Sequence, residues 1–167
     1  MNLQALKACK ETGLDFKNLT ACVGKALDTL KAGQDTAGAR ALVYQQWGKG
    51  STQIARSACE SLAEQAKFQW NSPDADLCAL YFNAHAMMNR GGKQWIDFNA
   101  MFLPEVLSAQ APDGSFKNFG TGDRGKLLPF ARQLSGDDET AVHCRTCLAA
   151  LTLEVYYRFL PGTGQRP

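Results

Sequence analysis

Cysteine and histidine carry most of the chemistry this chain could do, with six cysteines and two histidines. Cys144 and Cys147 form a Cys-x-x-Cys, a spacing used by redox dithiols and by zinc knuckles. No second pair is present to complete four zinc ligands, and no thioredoxin-like βαβ pattern surrounds this one. Neither chemistry is therefore expected of it. Cys78 and His85 stand seven residues apart on one helical stripe. At about 1.5 Å of rise per residue their Cα atoms are about 10 Å apart, too far for easy ligation of one metal. His85 reads as a cavity-wall or buried structural histidine. Seven aromatics, Trp47, Trp70, Tyr81, Phe82, Trp95, Tyr156 and Tyr157, could stabilise a cation on their ring faces if they lined a cavity. Packing is their more usual role.

Short helices must position these groups. A helix, then Gln or Asn, then an Asp-bearing turn occurs three times, at Gln34-Asp35-Thr36-Ala37-Gly38, Asn71-Ser72-Pro73-Asp74 and Gln110-Ala111-Pro112-Asp113-Gly114-Ser115-Phe116. The intervals are roughly 37 and 39 residues, and glycines at 13, 48/50 and 91/92 punctuate the repeats. That is the pattern of stacked helical hairpins. A first helix ends at Gly13, and Asp15 is placed to cap a second with a stripe of Phe16, Leu19, Val23, Ala26, Leu27 and Leu30. A third, with Leu42, Val43 and Trp47, stops at Gly48. Ser51 caps a fourth, with Ile54, Ala58, Leu62 and Ala66 on one face. The fifth starts near Asp74, which reads as its N-cap, and is apolar nearly all round. The sixth carries Phe98, Phe102, Val106 and Leu107, and the seventh runs from about Glu139 to Pro161. Helices two, four and six are expected outside, and three, five and seven inside.

Composition narrows the function classes. At 167 residues and a net charge of +2, the chain suits one domain with a real core. Residues 117–138 break the period and read as an insertion or lid, and 162–167 as a loose tail. Scattered Lys and Arg give no electrostatic footprint for nucleic acid or an anionic membrane. The longest relevant uncharged stretch, 77–89, is far short of a membrane span. No signal peptide is read at the N-terminus, and cysteines on apolar helix faces point to free thiols in a reducing, cytoplasmic setting.

Residues 110–116 resemble the Gln-x-x-x-Gly-x-Trp repeat of squalene and oxidosqualene cyclases, with Phe116 in the Trp position. Residues 151–161 are similar to the closing helix of bacterial cyclase-like proteins. The chain thus resembles the α/α-toroid superfamily of terpenoid cyclases and protein prenyltransferases over nearly its whole length. The resemblance implies an all-α toroid-type fold of about three and a half hairpins, where a closed ring takes about six. A half-ring, a fragment of a longer protein, or a half that pairs with a second copy or another half-toroid would each account for that number. It also implies a central cavity for an isoprenoid-like hydrophobic ligand, with Trp47, Tyr81, Phe82 and His85 as candidate lining.

In the prenyltransferases an Asp-x-Cys pair opening one inner helix and a His opening a later one hold zinc. Asp76-Leu77-Cys78 and His143, about 65 residues further on, match that pattern, so the resemblance implies zinc on Asp76, Cys78 and His143. Three such ligands leave a fourth position open for a substrate thiolate. His143 to Leu151 resembles the family's His-x-x-x-Cys-Leu-small-small-Leu stretch. The glycine-rich and Pro-Gly segments that precede that histidine in the transferases are absent. The acidic motif of the cyclases is only half matched, since Leu77 replaces the last acid of Asp74-Ala75-Asp76-Leu77. A structural reading stands beside each ligand: Cys78 as core, Asp76 as a first-turn dipole partner and His143 as a satisfied polar residue. The functional expectations are a zinc-binding, isoprenoid-directed enzyme, a non-catalytic interaction or ligand-binding module of the same fold, and a polysaccharide-acting toroid enzyme.

Overall fold

The structure, a computed structural model, describes residues 2–32, 37–72, 74–118 and 136–157. Most of the expected lid and the whole of the expected tail lie outside the described residues, as does the Gln34-Asp35-Thr36 turn. Among the described residues the chain is all-α. Seven helices follow one another: α1 (Asn2–Glu11), α2 (Leu19–Ala32), α3 (Ala37–Gln46), α4 (Gln53–Gln65), α5 (Leu77–Arg90), α6 (Gly92–Ser108) and α7 (Glu139–Leu153). A short 3-10 helix, Glu154–Tyr157, closes the described chain.

Three helix starts differ from expectation, each for a local reason. Asp15 does not cap α2. Leu19 N donates to the Phe16 carbonyl in a tight turn, Asn18 takes a left-handed φ of 65°, and the helix begins only after them. Phe16 is left 40% exposed, off the buried stripe of Val23 and Leu27. The cap of α4 is Thr52 rather than Ser51, its side chain accepting from the Ala55 N–H. The cap of α5 is Asp76 rather than Asp74. In α6 the buried stripe is Phe98, Phe102 and Val106, at i, i+4 and i+8. Leu107 is 100° further round the helix and is 52% exposed.

α5 is the hub. It touches α3, α4, α6 and α7, and α3 in turn touches α1, α2 and α4. Leu77, Cys78, Leu80, Ala84, His85, Ala86 and Met87 are all buried along it, as an all-round apolar helix requires. Full burial of a side chain such as Leu42, Leu77, Met87 or Phe102 contributes about 1.5–3 kcal/mol each. A second, smaller cluster of Val23, Leu27, Tyr44 and Ala55 joins α2 to α3 and α4.

Polar and steric details fix α3 on α5. Gln45 Nε2 donates to the Ala86 carbonyl at 3.0 Å, and Asn89 Nδ2 donates back to Gln45 Oε1 at 3.2 Å. At Gly38 the helices approach so closely that a Cβ would overlap the Asn83 side-chain oxygen and lie 2.7 Å from the Asn83 backbone nitrogen.

Candidate functional site

Each side chain expected at the site has a definite place. Asp76 ends an extended stretch, and its Oδ1 accepts from the Ala79 N–H at 2.9 Å. One of the unpaired donors at the start of α5 is thereby satisfied. Cys78 is 3% exposed in the main core. Burial pushes its thiol up to about 12, and the Asp76 carboxylate adds to the shift. A thiol so held is protonated at neutral pH and is a poor nucleophile.

His143 is exposed on α7, and its Nε2 lies 3.6 Å from Cys147 Sγ. Among the described residues no three His, Cys, Asp or Glu side chains form a group that could hold a metal ion. Asp76, Cys78 and His143 are all described, so these three are not gathered into such a set. The carboxylate is bonded to backbone, the thiol faces the core, and the imidazole is on an exposed helix face. The residues present do not fit zinc in the arrangement that the resemblance implies.

The aromatic candidates divide. Tyr81 sits edge-on to His85 with ring centroids 4.5 Å apart, and to Phe82 at 5.2 Å. His85 is buried, and Tyr81 and Phe82 are half-buried. Trp47 belongs to the other cluster, beside Tyr44 and Val43, with the Lys10 ammonium 5.5 Å from its ring centroid. Tyr81 is thus in ring contact with both Phe82 and His85, and none of these three, nor Trp47, lines either of two cavities, one at the N-terminal end of α5 and one beside α3 and α4.

A cavity of about 120 Å³ opens at the N-terminal end of α5. Asp74, Asp76 and Lys67 supply its charged lining, Asn83 an amide, and Phe68, Leu80, Phe98 and Met101 much of its apolar wall. A larger, open groove of about 480 Å³ runs beside α3 and α4, lined by small and polar side chains with Arg40 and Ile54.

The Gln110 to Phe116 segment is a compact turn. Gln110 Nε2 donates to the Gly114 carbonyl at 3.3 Å, Gly114 takes a φ of 87°, and Asp113 Oδ1 accepts from both the N–H and the hydroxyl of Ser115. These bonds hold the Asp113 carboxyl below its usual range. Phe116 is driven into the core, with its ring centroid 5.7 Å from that of Trp70. Its carbonyl accepts from Arg145 Nε at 2.9 Å. Arg145 is 1% exposed, an unusual place for a guanidinium, and nothing in the sequence beyond its position between Cys144 and Cys147 singles it out. Asn83, Lys67 and Met101 were likewise missed, because a cavity formed between helices leaves no mark on any one helix's periodicity.

Fold and site together define an all-α helical protein in which the conspicuous acid and thiol of α5 have structural partners. No protein-family model matches the sequence, and no curated protein or solved structure matches it. Among the described residues no helix is long and apolar enough to cross a membrane.

Proposed function

We propose that this chain is a non-catalytic ligand-binding module of partial-toroid type, which takes a small ammonium-bearing molecule at the N-terminal end of α5. The cavity there carries the reading. Its volume of about 120 Å³ is well below the roughly 300–1,000 Å³ typical of sites that enclose larger ligands. An isoprenoid chain does not fit it, whereas a short alkylammonium does. Asp74 and Asp76 outnumber the single cation of the lining, Lys67, and offer carboxylate oxygens to an ammonium group, while Phe68, Leu80, Phe98 and Met101 receive an apolar body. Asp76 Oδ1 is committed to the Ala79 N–H, which leaves Oδ2 for a ligand and fixes its direction.

Two features support the toroid relation. The row α3, α5, α7 is in contact along its length of neighbours, with α4 against α3 and α5, and α6 against α5 and α4. The Gln110 side chain closes on Gly114 and the aromatic at 116 anchors in the core, which is what a repeat-locking motif has to do. Loss of chemistry is supported by the protonated, buried Cys78 and the capping Asp76.

Isothermal titration of the protein with propylammonium tests the reading. Saturable 1:1 binding that weakens at least tenfold in Asp74→Asn is expected. Absence of binding to the wild type, or equal binding by the variant, would overturn it. Asp74 is exposed, and the cap of α5 is Asp76, so that variant keeps the fold.

A further inference from the structure

α6 carries two apolar rows. Phe98, Phe102 and Val106 form the first, which is buried against the rest of the fold. The second runs Ile96, Ala100, Leu103 and Leu107, at i, i+4, i+7 and i+11, the alternating spacing that keeps side chains along one helix–helix seam. Ile96 is 64% and Leu107 52% exposed, Ala100 is exposed and Leu103 is half-buried. Single exposed apolar side chains need no explanation, whereas a seam-spaced row of them marks a contact surface. Tyr156 widens the row. Its ring centroid is 6.0 Å from that of Trp95, its hydroxyl donates to the Asn99 side-chain oxygen, and both it and Tyr157 remain exposed. We infer that this face of α6 is the surface through which two copies of the chain pair, α6 antiparallel to α6 across a two-fold axis.

Shape and charge select a second copy as the occupant. A two-fold axis between Ala100 and Leu103 sets Ile96 against the partner's Leu107, and Ala100 against the partner's Leu103. The small side chain leaves the room that the large one fills, as helices packed about 8–10 Å apart require. No charge is trapped in the seam. Asp97 stands at its edge, and Glu105 is turned away, its carboxylate accepting from the Trp70 N–H at 2.8 Å. Lys93, one turn before Ile96, has its side chain 84% exposed. In the antiparallel arrangement it reaches past the partner's Leu107 toward the turn beyond, which carries the exposed Asp113. Symmetry makes that ion pair twice, once at each end of the seam, whereas a parallel pairing would set Lys93 against the partner's Lys93. Lys93 also meets its own Asp97 at 2.6 Å, an exposed i, i+4 pair of little worth that does not withhold the ammonium. The row and the two tyrosines are few beside the roughly 20–30 residues that each side of a standard interface supplies, so the dimer is expected to be reversible.

Sedimentation equilibrium of the full chain across the micromolar range is the test. A reversible monomer–dimer equilibrium is expected, weakened at least tenfold in Ile96→Glu and in Leu107→Glu. Leu14→Glu, an exposed position between α1 and α2, should leave it unchanged. All three positions are exposed, and melting temperatures taken where the wild type is monomeric verify the fold of the variants. Zero-length carbodiimide cross-linking of mixed isotopically light and heavy chains should join Lys93 of one copy to Asp113 of the other. A chain that stays monomeric at every concentration, or a dimer that Ile96→Glu and Leu107→Glu leave intact, overturns the inference. A monomer that Ile96→Glu strongly destabilises overturns it too, and shows the row to be covered within one chain. Absence of the light-to-heavy Lys93 to Asp113 link from the dimer rejects the antiparallel pairing.

Discussion

Arg145 and Phe116, 29 residues apart in sequence, are joined by a buried bond from guanidinium Nε to main-chain carbonyl at 2.9 Å. Nη1 of the same side chain donates to the Gly136 carbonyl at 2.8 Å. One side chain thus ties together both ends of the stretch between Phe116 and Gly136. Desolvation lowers the guanidinium's pKa, partly offset by Asp137 and Asp138. Arg145→Met should destabilise the protein by about 2–5 kcal/mol, because one buried and one partly buried carbonyl lose charge-assisted donors. Urea unfolding measures it, and a loss below about 0.5 kcal/mol would contradict the role given to Arg145.

Gly38 and Gly24 should respond oppositely to alanine. A Cβ at Gly38 meets the backbone of Asn83 at 2.7 and 2.8 Å, where nothing can yield cheaply, so Gly38→Ala should cost about 1–3 kcal/mol. At Gly24 nothing lies within 4 Å, and Gly24→Ala should stabilise α2 by about 0.5–1 kcal/mol. Melting temperatures of the two variants against wild type decide the matter, and equal shifts would refute the close α3–α5 contact.

Cys78 sets an alkaline limit on stability. Its thiol is raised from 9.0 to about 12 in the folded protein, so between those values the unfolded chain has lost a proton that the native chain retains. Stability contributed by the buried thiol is fully present below pH 9 and is lost as pH rises toward 12. Cys78→Ala should flatten that alkaline fall. For the same reason Cys22 and Cys147, both exposed, should be alkylated in the native state, while Cys59 and Cys78 react only on unfolding. Mass mapping after a short iodoacetamide pulse reads this directly.

Asp76 is expected to matter for α5 through its cap. Asp76→Ala should cost about 0.5–2 kcal/mol, and Asp76→Asn, which keeps an acceptor for the Ala79 N–H, much less. Denaturant midpoints measure both. Equal losses would mean that charge rather than the cap bond governs this position.

The helices were legible because their apolar spacing is strong: α5 as an all-round buried helix, and the boundaries at Gly13, Gly48 and Gly91, where φ is 73°, 70° and 69°. The caps of α4 and α5 lie one and two residues beyond those the sequence suggests, since Asp74 and Asp76 are chemically equivalent and only the backbone decides which one meets Ala79. The Gln110 to Phe116 turn was visible as a motif, but its partner Arg145 was not. A buried arginine has the same letter as a surface one, and only the carbonyls from two other segments reveal its place. The His143 and Cys147 spacing was present in the sequence as His-x-x-x-Cys. Its 3.6 Å separation belongs to side-chain rotamers, which no spacing specifies.

The proposed site at the N-terminal end of α5 takes a small cation rather than an isoprenoid. A two-dimensional amide NMR titration of labelled protein with propylammonium, and separately with farnesyl diphosphate, tests it most directly. The account predicts saturable shifts from propylammonium confined to residues around 67, 74–83 and 98–101, and none from farnesyl diphosphate. Saturable farnesyl diphosphate shifts along Tyr81, Phe82 and His85, with propylammonium silent, would contradict it.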